Sequence, residues 1–194
     1  MIDEKPSHGI RCAICTEAAL PLLVKHCADD GEDHAQHWQE QQAGEGLYLL
    51  AWRGAEPVGH LYIRWAGSHE IPRIRHWSPI AADLGPCPNI MGVWVVPNLR
   101  SRGIGTVLLR EAEDLIWQGG YTKACLEVNA DNPRARALYE RLGYSDPGIG
   151  VFTTSGTFTD AEGHELAWQN GPQALLIKQS VGCANRPRVA HGIL

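Results

Sequence analysis

An α/β fold is predicted from three observations along this 194-residue chain. Short runs of β-branched and aromatic residues alternate with apolar patterns of helical period. A Gly-rich turn, Gly103-Ile104-Gly105, joins a strand-like run to a helix-like one. No repeat or low-complexity block interrupts the alternation.

Ile10 to Cys15 reads as the first strand, and Thr16 with Glu17 opens a helical pattern through Leu20, Leu22, Leu23 and Val24, with Pro21 inside it. The acidic stretch Asp29-Asp30-Gly31-Glu32-Asp33-His34 leads into a second helix that ends near Gly44 to Gly46. Leu47 to Trp52 and Val58 to Trp65 form a hairpin around Arg53-Gly54-Ala55-Glu56-Pro57. From Ala66 to Asn89 no periodicity holds, and Pro, Gly and His are frequent, as in a long connection. The strand Ile90 to Val96 stops at Pro97. Val107, Leu108, Ala112, Leu115 and Ile116 then share a helix face that Gly119 and Gly120 end. Ala124 to Val128 is the next strand. Asn132 caps a short helix in which Pro133 takes the first turn and Ala135, Leu138, Tyr139 and Leu142 lie on one side. Phe152 to Phe158 and Ala174 to Lys178 are the last strands. Residues 1–179 thus read as a single domain, with 180–194 an irregular tail.

A hydrophobic content of 44% and a charged content of 20% suit one domain with a substantial core. The net charge of -5 argues against a phosphate-tracking surface, so nucleic acid is not expected as a partner. No apolar run has the length of a membrane span or the flanks of a signal peptide, which predicts a cytoplasmic protein without a membrane partner. Of the 6 cysteines, Cys12 and Cys15 form a C-x-x-C, but an i, i+3 pair on a strand faces opposite sides. Reduced, buried thiols and no metal are expected.

The chemistry concentrates between Val93 and Tyr144. N–H groups at a helix start lack internal partners and carry the positive end of the dipole, so the Gly103-Ile104-Gly105 turn reads either as an anion cradle or as a plain cap. A dinucleotide-binding fingerprint would need a third Gly at Leu108, and a Walker loop would need Gly-Lys-Ser/Thr; neither occurs.

Arg100-x-x-Gly103-x-Gly105 after the V-x-P of Val95 to Pro97, followed by Asn132 and by Leu138-Tyr139-x-x-x-Gly143-Tyr144, resembles the GNAT superfamily of N-acetyltransferases. The resemblance covers about a quarter of the chain strongly. It implies a mixed, mostly antiparallel sheet of about seven strands, splayed between the fourth and fifth, with about four flanking helices and acetyl-CoA lying in the gap. On the matching positions, the backbone of Val93, Trp94 and Val95 would pair with the pantetheine arm. Ser101, Arg102, Gly103, Ile104, Gly105 and Thr106 would hold the pyrophosphate with help from Arg100, and Asn132 would bind the pantetheine or adjacent main chain as well as cap its helix. Tyr139 matches the family's acid, and the Val95 N–H its oxyanion donor.

Many relatives place an acidic residue just before the V-x-P strand, where this chain has Met91 and Gly92. Glu127 matches a base position used in branches that acetylate N-terminal amines, while Asp83, Glu70, His76 or a water relay are the alternatives. The acceptor expected is a small-molecule amine or a peptide N-terminus. Asp29, Asp30, Glu32 and Asp33 could draw in a cationic amine, and Trp38, Trp65, Trp77 and Trp168 could wall its pocket, or these residues are simply a solvated face and core. The family further implies a homodimer through late strands. Two rival readings stay open: an acetyl-CoA-binding regulatory protein with little or no turnover, and a fold used only for packing.

Overall fold

In the computed structural model, which describes residues 9–27, 33–75, 78–159 and 163–180, the chain opens with β1 (Ile10–Ile14), a 3-10 turn at Glu17–Ala19 and α1 (Leu20–His26). There follow α2 (His34–Gln42), the hairpin of β2 (Gly46–Arg53) and β3 (Glu56–Arg64), then α3 (Glu70–Ile74) and α4 (Pro79–Ala82). The second half contains β4 (Asn89–Val95), α5 (Ile104–Gln118), β5 (Lys123–Asn129), α6 (Pro133–Arg141), β6 (Val151–Thr159) and β7 (Glu165–Gln179). All strands join one 7-stranded sheet in the order β1-β2-β3-β4-β5-β7-β6. Only β4 and β5 run parallel, and their register holds a single pair, Asn89 with Cys125. Beyond it the strands part, leaving the C-terminal half of β4 with a partner on its β3 side alone.

Two layers cover the sheet. On one face α5 buries Ile104, Leu108, Leu109, Ala112 and Ile116 against Leu49, Leu61, Ile63 and Ile90. Each such Leu or Ile contributes roughly 1.5–3 kcal/mol on burial. On the other face α1 and α2 close over Tyr48, Leu50 and Tyr62, while α3 and α4 pack Ile71, Ile74 and Ala81 against Cys125, Leu175 and Ile177. Cys12 joins the first of these clusters and Cys15 the opposite one, as the period of a strand requires. Burial pushes both thiols up to about 11, which makes them unreactive at neutral pH.

The β3–β4 ladder carries a bulge. Tyr62 pairs with Met91 and His60 with Trp94, so β4 holds one residue more than β3 between these points, and Gly92 takes up the difference at φ 59. The extra residue inverts the facing of the strand. Ile90 and Val93 both point to the α5 side, and Met91 and Trp94 both point to the α2 side.

The expected elements occur, with two differences. The connection expected to be structureless contains α3 and α4, giving six α-helices among the described residues where about four were anticipated. β7 starts at Glu165, nine residues before the expected Ala174, because its first half is a ribbon with β6 whose side chains are largely exposed. The tail at 181–194 lies outside the described residues.

Candidate functional site

The parting of β4 from β5 opens a cavity of about 530 Å³, bounded by Val93, Trp94 and Val95 along the strand. The turn Arg100 to Thr106 forms its floor except for Arg102, and Asn132, Arg134, Ala135, Leu138 and Tyr139 form the wall from α6. Val96 donates its N–H to Val58 O at 3.0 Å on β3. Alternation along the strand therefore turns the Val95 N–H the other way, into the cleft. The Val95 carbonyl accepts from Arg100 Nε at 2.9 Å on that same side, and the Arg100 guanidinium lies 6.0 Å from the Trp94 ring centre.

Gly103 stands at the N-cap of α5 with φ 85 and, lacking a side chain, leaves the first helical N–H groups uncapped. The earliest bond back into the turn is from Val107 N to Gly103 O, so the N–H groups of Ile104, Gly105 and Thr106 point to the cavity floor. Ser101 adopts φ 62, unusual for a residue with a side chain, and its hydroxyl accepts from Arg134 Nη2. Arg134 thus brings a cation from α6 to the mouth of the anion cradle. Sequence reasoning passed over it, because an arginine after the Pro133 of a helix start looks like an ordinary solvated residue. Arg102 is exposed and does not line the cavity.

Asn132 is an N-cap in fact: its Oδ1 accepts from Ala135 N at 3.0 Å. That cap fixes the start of α6 and hence the height of Tyr139, which is 7% exposed and packs edge-on to Tyr144 at 6.3 Å between ring centres. Burial pushes the Tyr139 phenol up to about 12. It therefore keeps its proton throughout the neutral range.

Glu127 is part-buried on β5, outside the cavity lining, on the sheet face shared with Cys125. Its Oε1 accepts from the Ser68 hydroxyl and its Oε2 from Asn89 Nδ2 at 3.0 Å. Burial raises this carboxyl above the ordinary carboxylate range and the charge of Glu70 adds to the rise, while the two donors oppose it. Glu70 is itself buried, accepting from Thr154 Oγ1 on β6 and from Asn170 Nδ2 at 3.1 Å on β7. Asp83 closes α4 as its C-cap, and His76 lies outside the described residues.

The residues expected to draw in and wall an acceptor are dispersed. Asp33 caps α2 by accepting from Gln36 N at 2.9 Å, and Asp29, Asp30 and Glu32 lie outside the described residues. Trp38, on α2, packs against the cluster of Tyr48, Leu50 and Tyr62, Trp65 stacks on Tyr121 at 5.8 Å, and Trp168 receives Arg73 at 4.7 Å, while Trp77 is not among the described residues. Among the described residues no group of three or more His, Cys, Asp or Glu could hold a metal ion, and no helix is long and apolar enough to cross a membrane.

The sequence profile of the Acetyltransferase (GNAT) family matches residues 15–144. Among curated proteins, a mycothiol acetyltransferase of Corynebacterium aurimucosum is 30% identical over 122 residues, covering 58% of this chain and 40% of that protein. A [ribosomal protein bS18]-alanine N-acetyltransferase of Salmonella typhimurium is 35% identical over 78 residues, covering 40% of this chain and 50% of that protein. The chain thus spans half or less of these relatives' lengths. Among solved structures, the ribosomal-protein-S18-alanine N-acetyltransferase of Escherichia coli superposes with a TM-score of 0.58 at 15% identity, over 88% of this chain and 93% of that one. Arabidopsis thaliana NAA60 in complex with acetyl-CoA gives 0.58 at 19% identity, over 88% and 98%. These likenesses are of fold.

Proposed function

The chain belongs to the GNAT family of acetyltransferases, and on that premise we propose that it moves the acetyl group of acetyl-CoA to a primary amine on a small molecule or a peptide N-terminus. The observation that carries this reading is the cavity itself, where an open strand edge, an uncapped helix start and a buried phenol converge. Each supplies what one part of a thioester ligand needs. The edge of Val93 to Val95 offers N–H and C=O groups to the amide-bearing pantetheine arm as an added strand would. The N–H groups of Ile104 to Thr106 hold a pyrophosphate with donors that are fixed and always protonated, and Arg100 and Arg134 add charge at the rim. Arg102, exposed beside the cradle, contributes to the potential without contact.

In transfer, the amine nitrogen bonds to the thioester carbonyl carbon as it loses a proton to Glu127, directly or through water. The Val95 N–H, already turned into the cleft, stabilises the oxyanion. The carbon–sulfur bond then breaks, and the Tyr139 hydroxyl donates to the departing thiolate, its proton being replenished from solvent. Glu127 suits the role of base because its raised proton affinity brings it nearer the operating pH than an exposed carboxylate would be. The relatives named for mycothiol and for the alanine of bS18 support both acceptor classes. Cytoplasmic residence, and a homodimer through β6 and β7, belong to the same proposal.

The test is thiol release from acetyl-CoA with a panel of amino sugars, polyamines, amino acids and peptide N-termini, alongside calorimetric acetyl-CoA binding. Release with one amine class is the expected result. Binding without release from any member would replace transfer with a regulatory, acetyl-CoA-sensing role, and absence of binding would overturn the reading.

A further inference from the structure

The face of the sheet that carries Glu127 holds a polar network that the cavity does not account for. Ser68 is 4% exposed, and its Oγ accepts the Glu70 N–H at 3.0 Å. Its single hydrogen is therefore directed elsewhere, and the acceptor in reach is Glu127 Oε1. Two residues further along, the Glu70 carboxylate is 6% exposed and surrounded by donors: Thr154 Oγ1, Asn170 Nδ2 at 3.1 Å and, at 3.8 Å, Arg73 Nη1. Arg73 in turn donates to His69 O at 2.6 Å and lies over Trp168. The N-terminal end of α3 is thereby fastened both to the β6–β7 ribbon, through Glu70, and to Glu127, through Ser68.

We propose that Ser68 and Glu70 are positioning residues for Glu127, Ser68 fixing its carboxylate through a donated hydrogen bond and Glu70 setting the charge that it faces. The inference rests on Glu127 being the base of the proposed transfer, and it names what makes that carboxylate fit for the task. The two influences oppose each other: a donated hydrogen bond favours the charged form, and a neighbouring negative charge favours the protonated one. Among the described residues, the other named neighbours of Glu127 carry no charge at neutral pH. Asn89 faces it from β4, Leu175 is its register partner on β7, and Cys125, on its own strand, is a buried thiol held protonated. Burial sets the overall rise, and Ser68 and Glu70 act on it in opposite senses.

The experiment is a 13C NMR titration of the full chain labelled at glutamate side-chain carboxyls, with the Glu127 signal assigned by its loss in Glu127→Gln. Ser68→Ala should raise the Glu127 midpoint by about one pH unit, the equivalent of one hydrogen bond to a charged acceptor. Glu70→Gln should lower it, and Glu70→Asp, which keeps the charge, should restore most of the original value. Midpoints that stay put, or that move in the same direction in Ser68→Ala and Glu70→Gln, would overturn the inference, because a purely structural network has no reason to shift a carboxyl in opposite senses. The base assignment is read separately. If Glu127→Gln leaves the transfer rate to the reactive amine of the panel unchanged, that assignment fails whatever the titration shows. If it abolishes transfer while the titration is flat, the positioning role fails alone.

Discussion

Gly59 offers the sharpest test of how closely the cleft depends on β3. It stands opposite Val95, and a Cβ built on it would lie 2.7 Å from the Trp94 carbonyl oxygen and 3.3 Å from both Leu108 Cδ1 and Val95 Cγ2. The contact with the carbonyl is about 0.7 Å short of the 3.4 Å at which ordinary van der Waals contact begins. That carbonyl is backbone in a ladder and cannot swing aside, so Gly59→Ala forces β4 outward into the cavity. Overpacking of this kind costs about 1–3 kcal/mol. At about 2–4 °C per kcal/mol for a chain of this size, the melting temperature should fall by about 2–12 °C. The same displacement moves the strand edge proposed to pair with pantetheine. Losing two hydrogen bonds of about 0.5–1.5 kcal/mol each would weaken acetyl-CoA binding roughly 5- to 150-fold. Differential scanning fluorimetry and isothermal titration calorimetry on one preparation read both numbers. Unchanged melting together with unchanged affinity would refute the reasoning, since it would mean that β3 does not hold β4 at the cleft.

Tyr139→Phe removes a hydroxyl but keeps the ring packed against Tyr144, so melting and acetyl-CoA binding should hold while transfer drops about 10²- to 10⁴-fold in the thiol-release assay. With the phenol pushed up to about 12, Tyr139 should produce no basic limb in the wild-type rate profile below about pH 11, because the donor is lost only as pH rises through that value. Glu127 has a raised folded pKa, so its charge costs stability that sets in as pH climbs above the unfolded value of 4.5; Glu127→Gln should melt higher than wild type at pH 8, with the gain vanishing toward pH 4 in a scanning-calorimetry series. Lys178→Met should cost about 3–5 kcal/mol in urea denaturation, because Lys178 Nζ sits 2.5 Å from Glu113 Oε2 and its loss leaves a carboxylate only 7% exposed without its ion-pair partner. Asp33→Ala should cost about 1 kcal/mol through the lost α2 cap and leave the KM for a cationic acceptor unaltered; a raised KM would instead revive the idea that this acidic stretch recruits the acceptor.

Much of the fold was legible because its elements are long enough to show a period. The face of α5 repeats through Leu108, Ala112 and Ile116, and the hairpin of β2 and β3 is rich in β-formers on both sides of its turn. α3 and α4, of 5 and 4 residues, are shorter than the window in which a helical period can be recognised, and each contains a proline. The early half of β7, Glu165 to Pro172, pairs within the sheet with β6 and not with β5 and is largely exposed, so no apolar alternation marks it. The cavity residues were readable for a related reason: cradle, cap and phenol lie on consecutive elements within one motif. The network around Glu127 joins residues 59 apart in sequence at Ser68, and the contacts of Glu70 span 84 and 100 residues. No local pattern records such meetings. Arg134 escaped notice because only the positive φ of Ser101 brings that hydroxyl within its reach.

The bulge at Gly92 makes β4 behave as two strands in different reading frames. Ahead of it, Asn89 and Met91 look toward Glu127 and the α2 side; behind it, Trp94 keeps that direction although an unbroken pleat would have turned it into the core with Ile90. Deleting Gly92 would remove the bulge yet leave Val93 facing α5 and Trp94 facing α2, because the remaining residues then alternate without interruption. The extra residue therefore acts on the backbone alone, adding a bend and twist just past the point where β4 parts from β5, with no side chain changing face.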